Sequence, residues 1–210
     1  MIDVSNLSTG AEALGLMLSP ETLARLERYL DLLEKWNAVI NLTAVRDRER
    51  MVALHLLDSL TLVPSLADRS MLLDVGSGGG MPGIPLAISC PHLKVTLLEP
   101  NQKKAAFLRQ AKLELDLDQV TVVAERVERW FPAEAFDAIV SRAFSDLPDF
   151  VAGAAHLLAP GGALIAMKGG VPFEEIIRLP LRFTTEVIPV TVPNLTAERH
   201  LIVIREEDHS

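Results

Sequence analysis

The sequence predicts an α/β protein with a mostly parallel sheet, an N-terminal helical extension and a C-terminal antiparallel hairpin. From Met71 onward, short apolar runs alternate with helical patterns, an order typical of parallel strands joined by helices. Before that point the chain carries only helical patterns, and near its end two apolar runs lie close together. A chain of 210 residues suits one such domain with an extension.

The extension is expected to span residues 1–65. We expect a short helix over about 9–17 and a strongly amphipathic one over about 20–37, where leucines recur at helical spacing. Ser19-Pro20-Glu21 supplies an N-cap, a proline at the first helical position and an acidic first turn. Asp47 can cap a further helix. Two asparagines and a threonine beside Trp36 predict a fixed turn after the second helix.

The remaining residues, 66–210, are expected to form one compact domain. The expected strands are 71–75, 94–99, 120–124, 137–141 and 162–168. The expected helices are 83–89, 101–114, 126–131, 147–158 and 172–179. Val187 to Val192 and Leu201 to Arg205 are expected to form the final hairpin.

A glycine-rich turn after the first strand predicts a nucleotide site, because glycine permits a tight turn and lets a ligand approach bare backbone. Asp74-x-Gly76-x-Gly78-x-Gly80 is the pattern of S-adenosylmethionine-dependent methyltransferases, whereas Gly78-x-Gly80-x-x-Gly83 is a dinucleotide fingerprint. The first pattern begins directly after the strand and the second three residues later, which favours the methyltransferase. A nicotinamide cofactor and a turn without a ligand are the alternatives.

Candidate site residues follow the other strands, since ligands bind beyond the carboxyl ends of parallel strands. Glu99 ends the second strand, where an acid can accept hydrogen bonds from ribose hydroxyls. Val127 and Glu128 follow the third strand, where adenine is usually bound. Arg142 follows the fourth strand, where the methyl acceptor is expected. Lys168 ends the fifth strand and is a candidate for a contact with substrate or RNA phosphate.

The acceptor is expected to be an atom with a free lone pair, such as a ring nitrogen. Ser-Arg-Ala-Phe stands at residues 141–144, where enzymes that methylate exocyclic amines usually have Asn/Asp-Pro-Pro-Tyr. Cys90 lies on the wrong element to serve as the nucleophile of a pyrimidine-carbon methyltransferase. Methylation of an atom with a free lone pair needs no deprotonation. Positioning of the acceptor against the methyl group can therefore carry the reaction, and no general base is expected.

Composition places the chain among cytoplasmic enzymes. No apolar run approaches the length of a membrane span, no signal peptide is evident, and a single cysteine excludes an internal disulfide. His55 and Asp58 share one helix face but lack a third ligand nearby, so we expect no metal site. The net charge of −8 argues against a generic nucleic-acid binder. It permits an enzyme that docks on a ribonucleoprotein through local basic patches.

The chain closely resembles the bacterial 16S ribosomal RNA guanine-N7 methyltransferases, a family also called glucose-inhibited division protein B. The matching stretches are Lys35-Trp36-Asn37, Asn41-Leu42-Thr43-x-Val45-Arg46-Asp47, His55-x-x-Asp58-Ser59, Asp74 to Pro85, Phe107-Leu108-Arg109, Ser141-Arg142-Ala143-Phe144, Lys168-Gly169 and Glu198-Arg199-His200-Leu201. The resemblance implies a Rossmann-like fold with seven strands. It also implies methyl transfer from S-adenosylmethionine to N7 of one guanine in the decoding region of small-subunit RNA.

The resemblance also assigns residues and partners. The implied cofactor contacts are Gly76, Met81, Val127, Glu128 and Arg142, with Glu99 at the ribose. The implied RNA contacts are Arg46, Arg126, Lys168, Arg199 and His200. The expected partner is 16S rRNA in the small subunit or an assembly intermediate, bound by a monomer. A methyltransferase of small molecules or proteins, a nicotinamide-dependent oxidoreductase and a non-enzymatic assembly factor are the alternatives.

Overall fold

The computed structural model describes residues 4–142, 144 and 146–207, so Ala143 of the Ser141-to-Phe144 motif lies outside the described residues. The strands are β1 (Met71–Val75), β2 (Lys94–Leu98), β3 (Val120–Val123), β4 (Phe136–Ser141), β5 (Leu158–Lys168), β6 (Phe183–Val190) and β7 (Arg199–Glu206). They form one seven-stranded sheet in the order β3-β2-β1-β4-β5-β7-β6. The first five strands are parallel, and β7 lies antiparallel between β5 and β6. The predicted fold class is therefore confirmed.

The helices cover both faces of the sheet. They are α1 (Val4–Ala13), α2 (Pro20–Asn37), α3 (Arg48–Met51), α4 (Asp58–Leu60), α5 (Gly83–Ser89), α6 (Gln102–Glu114), α7 (Leu147–Ala154) and α8 (Phe173–Ile176). A π-helix, Val52–Leu57, joins α3 to α4. Short 3-10 turns lie at Val63–Leu66, Val127–Arg129 and Ala155–Leu157. Within the described part of the chain, no helix is both long and apolar enough to cross a membrane.

The extension shares its core with the sheet. Helix α2 packs against α5 and α6, and its Tyr29, Leu30 and Leu33 are fully buried. The Trp36 and Phe107 rings meet edge to face with centroids 5.8 Å apart. The opposite face of the sheet is covered by α7 and its own apolar cluster. The division at residues 65 and 66 stays a prediction.

Several helix and strand limits differ from the sequence prediction. Helix α1 begins and ends earlier than 9–17, because Gly15 adopts a left-handed conformation (φ 75°) and Leu16 N–H donates to the Ala11 carbonyl, which ends the helix. Only a 3-10 turn forms within 126–131, and α8 is shorter than 172–179. Helix α7 ends at Ala154, and both hairpin strands are longer than expected.

Candidate cofactor and acceptor site

All of the predicted site residues that follow strands lie at one edge of the sheet. Gly76, Glu99, Val127, Arg142 and Lys168 occupy the carboxyl ends of β1, β2, β3, β4 and β5 or the residues just beyond them. Strand β7 runs antiparallel, so its first residues reach the same edge, and His200 is the register partner of Lys168. The topology thus brings together the cofactor and RNA candidates that the strand ends carry.

The glycine loop has the backbone that its sequence predicts. Gly76, Gly78 and Gly80 all have positive φ, at 74°, 55° and 89°. A Cβ on Gly80 would lie 2.5 Å from Ile84 Cδ1, so the turn has no room for a side chain there. A Cβ on Gly78 would meet nothing closer than the Gly76 carbonyl oxygen at 3.8 Å, which leaves that side of the loop open to a ligand.

Glu99 fixes the glycine loop. Its Oε2 accepts a hydrogen bond from Gly78 N–H at 2.8 Å, and its Oε1 accepts one from Asn101 N–H at 2.9 Å. A carboxylate offers about four acceptor positions, so two bonds leave capacity for two ribose hydroxyls. The side chain is nearly buried, which holds it in one orientation beside the loop. This position suits the ribose role predicted from the sequence.

Asp74 provides a buried carboxylate with an unused acceptor. Its Oδ2 accepts a hydrogen bond from Gly83 N–H at 3.0 Å, while its Oδ1 has no hydrogen-bond partner among the described residues. Burial raises the pKa of Asp74 to about 7, although the Gly83 N–H, the nearby Ser77 hydroxyl and the charge of Arg142 oppose the rise. A nearby cation would favour the ionised form, and the methionine end of S-adenosylmethionine carries a positively charged sulfur.

A cleft beside the loop can hold the adenine. Its volume is about 160 Å³, and its lining residues are Val75, Gly76, Leu98, Pro100, Glu125, Arg126, Val127, Glu128 and Phe144. Of these lining residues, Val127 is buried and Glu128 is exposed. Met81 lies on the other side of the loop, where its Cε packs over Gly79. The open cleft, the unused Asp74 oxygen and the glycine loop together fit S-adenosylmethionine.

Arg142 is held by the N-terminal extension. Its Nη1 donates to the Leu54 carbonyl at 3.2 Å and lies 3.6 Å from Asp58 Oδ2. Arg199 Nε lies 3.3 Å from the other oxygen of the same carboxylate. The buried His55 forms a hydrogen bond with Thr43 Oγ1, with a distance of 2.9 Å between Nε2 and Oγ1. Burial lowers the pKa of His55 to about 4. His55 is therefore neutral near pH 7.

The remaining RNA candidates differ in availability. Lys168 is largely buried, and its Nζ donates to Glu175 Oε2 at 3.0 Å. Arg46 is exposed, and its Nη1 donates to the Asn37 carbonyl at 3.2 Å. Arg126 is exposed at the adenine cleft, and His200 is half-buried opposite Lys168. The roles of these side chains toward RNA stay predictions.

Sequence reasoning missed two residues that shape the site. The buried Tyr29 hydroxyl donates to the Gly79 carbonyl at 2.5 Å and ties α2 to the glycine loop. Glu175 Oε2 accepts from both Lys168 and the Leu147 N–H. A lone tyrosine among the core leucines of α2 is the only sequence signal for the first contact. The predicted turn is confirmed, since Asn37 Oδ1 accepts hydrogen bonds from Leu42 and Thr43 N–H.

Solved structures share this architecture. An O-methyltransferase from Bacillus cereus in complex with SAH superposes with a TM-score of 0.64 and 16% sequence identity. The superposition covers 97% of this chain and 100% of the other. A glycopeptide N-methyltransferase, MtfA, superposes with a TM-score of 0.61 and 13% identity over 72% of this chain and 96% of its own. The chain therefore has the Rossmann-like α/β fold of these two methyltransferases.

Sequence comparison narrows this class to one family. The profile of rRNA small subunit methyltransferase G matches residues 22–202. The ribosomal RNA small subunit methyltransferase G of Chromobacterium violaceum is 54% identical to this chain, over 96% of this chain and 97% of the relative. The protein of the same name from Nitrosospira multiformis is 47% identical, over 98% of each chain. The chain belongs to the rRNA small subunit methyltransferase G family.

Proposed function

We propose that this chain transfers the methyl group of S-adenosylmethionine to N7 of one guanine in the decoding region of 16S ribosomal RNA. Membership in the family supports small-subunit ribosomal RNA as the substrate. The resemblance of the sequence motifs to the guanine-N7 methyltransferases supports N7 of guanine as the methyl acceptor. One observation carries the proposal. The cleft at the ends of β1 to β3 and the two arginines at the ends of β4 and β7, Arg142 and Arg199, lie along the same edge of the sheet. One edge thus offers a cofactor site beside a cationic acceptor site.

The cofactor residues act by binding and orientation. When bound, S-adenosylmethionine supplies a methyl group on a positively charged sulfur. Glu99 would accept hydrogen bonds from the ribose hydroxyls, Val127 and Glu128 would border the adenine, and the buried Asp74 would attract the cationic end directly or through water. Gly76 and Gly78 leave the backbone accessible, the buried Gly80 permits the tight turn, and Met81 packs over Gly79.

The acceptor side needs no proton transfer. Guanine N7 has a free lone pair, so the chain has to place the base and exclude competing geometries rather than remove a proton. Arg142 acts as a positioning residue beside the cofactor and the base. His55 is unsuited to acid catalysis near pH 7, because its pKa of about 4 keeps it neutral. Positioning can supply roughly 7–11 kcal/mol of the lowering in barrier.

The substrate is proposed to be a preformed ribonucleoprotein met by a monomer in the cytoplasm. A net charge of −8 disfavours binding to free RNA in general. Arg46, Arg126, Lys168, Arg199 and His200 would supply local contacts. Phosphate contacts would set the register of the enzyme, and the target base must be exposed or turned out to reach the cofactor.

Methyl transfer from radiolabelled S-adenosylmethionine to small ribosomal subunits tests this proposal. The subunits come from cells that lack the enzyme, and naked 16S rRNA, transfer RNA and bulk protein serve as competing acceptors. The labelled RNA is digested to identify the nucleoside. We expect label only in 7-methylguanosine from small-subunit RNA. Label in protein or small molecules, or none in RNA while the cofactor binds, would overturn the proposal.

Two arginine variants sharpen the assay. Arg142→Ala removes the positioning side chain, and we expect methyl transfer to fall by at least about a hundredfold while the folded structure persists. Arg28→Ala removes an exposed arginine of α2 and should keep wild-type transfer. Circular dichroism and thermal unfolding of both variants establish that they fold. Wild-type turnover in Arg142→Ala would contradict its proposed role.

A further inference from the structure

A buried carboxylate links two arginines at the acceptor end of the sheet. The Asp58 side chain is only 4% exposed, and its two oxygens lie 3.6 Å from Arg142 Nη1 and 3.3 Å from Arg199 Nε. Burial raises the pKa of Asp58, and the charges of Arg142 and then Arg199 oppose that rise. One carboxylate therefore faces two guanidinium groups, and the cluster keeps a net positive charge.

The three residues come from separate parts of the chain. Asp58 begins α4 in the N-terminal extension, Arg142 follows β4, and Arg199 begins β7. Strand β5 lies between β4 and β7, so their axes are roughly 10 Å apart and the arginines need an outside group to link them. A Cβ on Gly169 would lie 3.8 Å from Arg199 Nη1, which places this guanidinium beside the end of β5.

The three side chains differ in their exposure to solvent. Asp58 is buried, whereas the side chains of Arg142 and Arg199 are 28% and 21% exposed. The backbone fixes each arginine further, since Arg142 donates to the Leu54 carbonyl and Arg199 donates to the Glu198 carbonyl. A buried carboxylate is a costly way to stabilise a fold, and apolar residues often replace such pairs without loss. This cost points to a role in orientation.

We propose that Asp58 is a positioning residue for methyl transfer, which holds Arg142 and Arg199 on either side of the β5 end so that the target nucleotide enters between ordered guanidinium groups. The inference rests on the proposed function for its effect on turnover. It assigns the N-terminal extension a part in the acceptor site, because the carboxylate lies outside the sheet that carries both arginines.

A double-mutant cycle tests the coupling. Asp58→Asn keeps the shape of the side chain and removes its charge, and Arg199→Gln removes one partner. If Asp58 acts through Arg199, the two losses in kcat/KM for small subunits will not multiply, and the double variant will resemble the more damaged single variant. We expect Asp58→Asn to lower kcat/KM by about tenfold or more. Losses that multiply, or unchanged kcat/KM, would overturn the proposal.

The matched control is Asp31→Asn. Asp31 Oδ1 pairs with Arg48 Nη2 at 2.6 Å in the same extension, but its side chain is 67% exposed. This variant makes the same chemical change to an aspartate–arginine pair away from the sheet edge, and it should keep wild-type kcat/KM. Asp58→Glu retains the charge on a longer side chain and should restore part of the activity lost in Asp58→Asn. It also provides a folded variant if Asp58→Asn is unstable.

Arginine NMR separates positioning from the reaction itself. Arg199 Nε and Asp58 Oδ1 form an ion pair without hydrogen-bond geometry, so line width rather than hydrogen exchange reports on it. The Nε signal of Arg199 should be sharp in the wild-type protein and in Asp31→Asn, and it should broaden in Asp58→Asn. An unchanged Arg199 signal in a folded Asp58→Asn protein would refute the positioning role. If the wild-type enzyme labels no RNA, the proposed function fails, while these signals still determine whether Asp58 orders the arginines.

Discussion

At the scale of single residues, the carboxyl group of Asp74 connects cofactor binding to pH. Its pKa of about 7 means that the free protein holds this carboxyl largely protonated at pH 6 and largely ionised at pH 8. Burial raised this pKa, so ionisation of Asp74 costs stability as pH rises through the window from its ordinary value to about 7. A cationic ligand reverses the balance by favouring the ionised form, and its binding should release a proton below pH 7.

We therefore expect the Kd of S-adenosylmethionine to be about tenfold higher at pH 6 than at pH 8, with a plateau above pH 8. Isothermal titration calorimetry in buffers of different ionisation enthalpy would measure both the Kd and the proton released. Asp74→Asn cannot titrate and should bind weakly with little dependence on pH. A wild-type Kd that is constant from pH 6 to pH 8 would contradict this role for Asp74.

At the scale of elements, helix α2 supports the glycine loop through Tyr29. Burial raises the pKa of Tyr29, so its hydroxyl stays protonated and donates to the Gly79 carbonyl throughout the working pH range. Tyr29→Phe leaves the ring in place but removes the donor, and we expect unfolding to become easier by about 1–3 kcal/mol. The Kd of the cofactor should also rise severalfold, because the loop loses a fixed contact. Thermal unfolding and calorimetry measure the two effects.

A second hydroxyl supplies the control for Tyr29→Phe. Thr184 Oγ1 donates to the Arg205 carbonyl at 3.5 Å on the outer strand β6, far along the sheet order from the glycine loop. Thr184→Val removes this donor and should leave the cofactor Kd unchanged. If both variants changed the Kd equally, support of the loop by α2 would not be the cause.

Helix α5 begins at a glycine that the packing requires. A Cβ on Gly83 would lie 2.7 Å from Asp74 Oδ2 and would also overlap Leu97 Cδ2. Alanine normally favours a helix over glycine by about 1 kcal/mol, but the overlap with a buried strand should outweigh this and destabilise Gly83→Ala by about 1–3 kcal/mol. Gly170→Ala is the control, since its Cβ would meet nothing within 4 Å. Urea unfolding that gives both variants equal stability would contradict this reasoning.

Local patterns predicted the elements whose structure depends on local chemistry. Buried runs identified strands β1 to β4, and glycine spacing identified the loop after β1. Strand β5 begins at Leu158, whereas the sequence predicted a start at residue 162. The prediction was wrong because Pro160-Gly161-Gly162 has the composition of a turn. In the structure this segment lies within the strand, beside a register shift at Phe136. The π-helix Val52–Leu57 and the pairing of Asp58 with Arg199 depend on contacts between distant parts of the chain. No local pattern encodes such contacts.

At the scale of the whole molecule, we expect the charge distribution to govern how the enzyme distinguishes its substrate from other RNA. The net charge of −8 repels a polyanion, and the exposed or half-buried cations Arg46, Arg126 and Arg199 are spread over separate elements of the chain. Few phosphate contacts release few counterions, so affinity should fall only gently as salt rises. Under the proposed function, shape recognition of an assembled subunit supplies much of the specificity.

This distribution predicts a shallow salt dependence. With about three phosphate contacts, the logarithm of kcat/KM for small subunits should fall against the logarithm of salt concentration with a slope of roughly −2 to −3. Arg126→Ala should weaken activity and reduce the slope by about 1 if Arg126 makes one of the proposed phosphate contacts, whereas Arg28→Ala should leave the slope unchanged. Methylation assays from low to moderate salt measure these slopes. A wild-type slope near −8, or an Arg126→Ala slope equal to that of the wild type, would show that RNA meets the protein on a different surface.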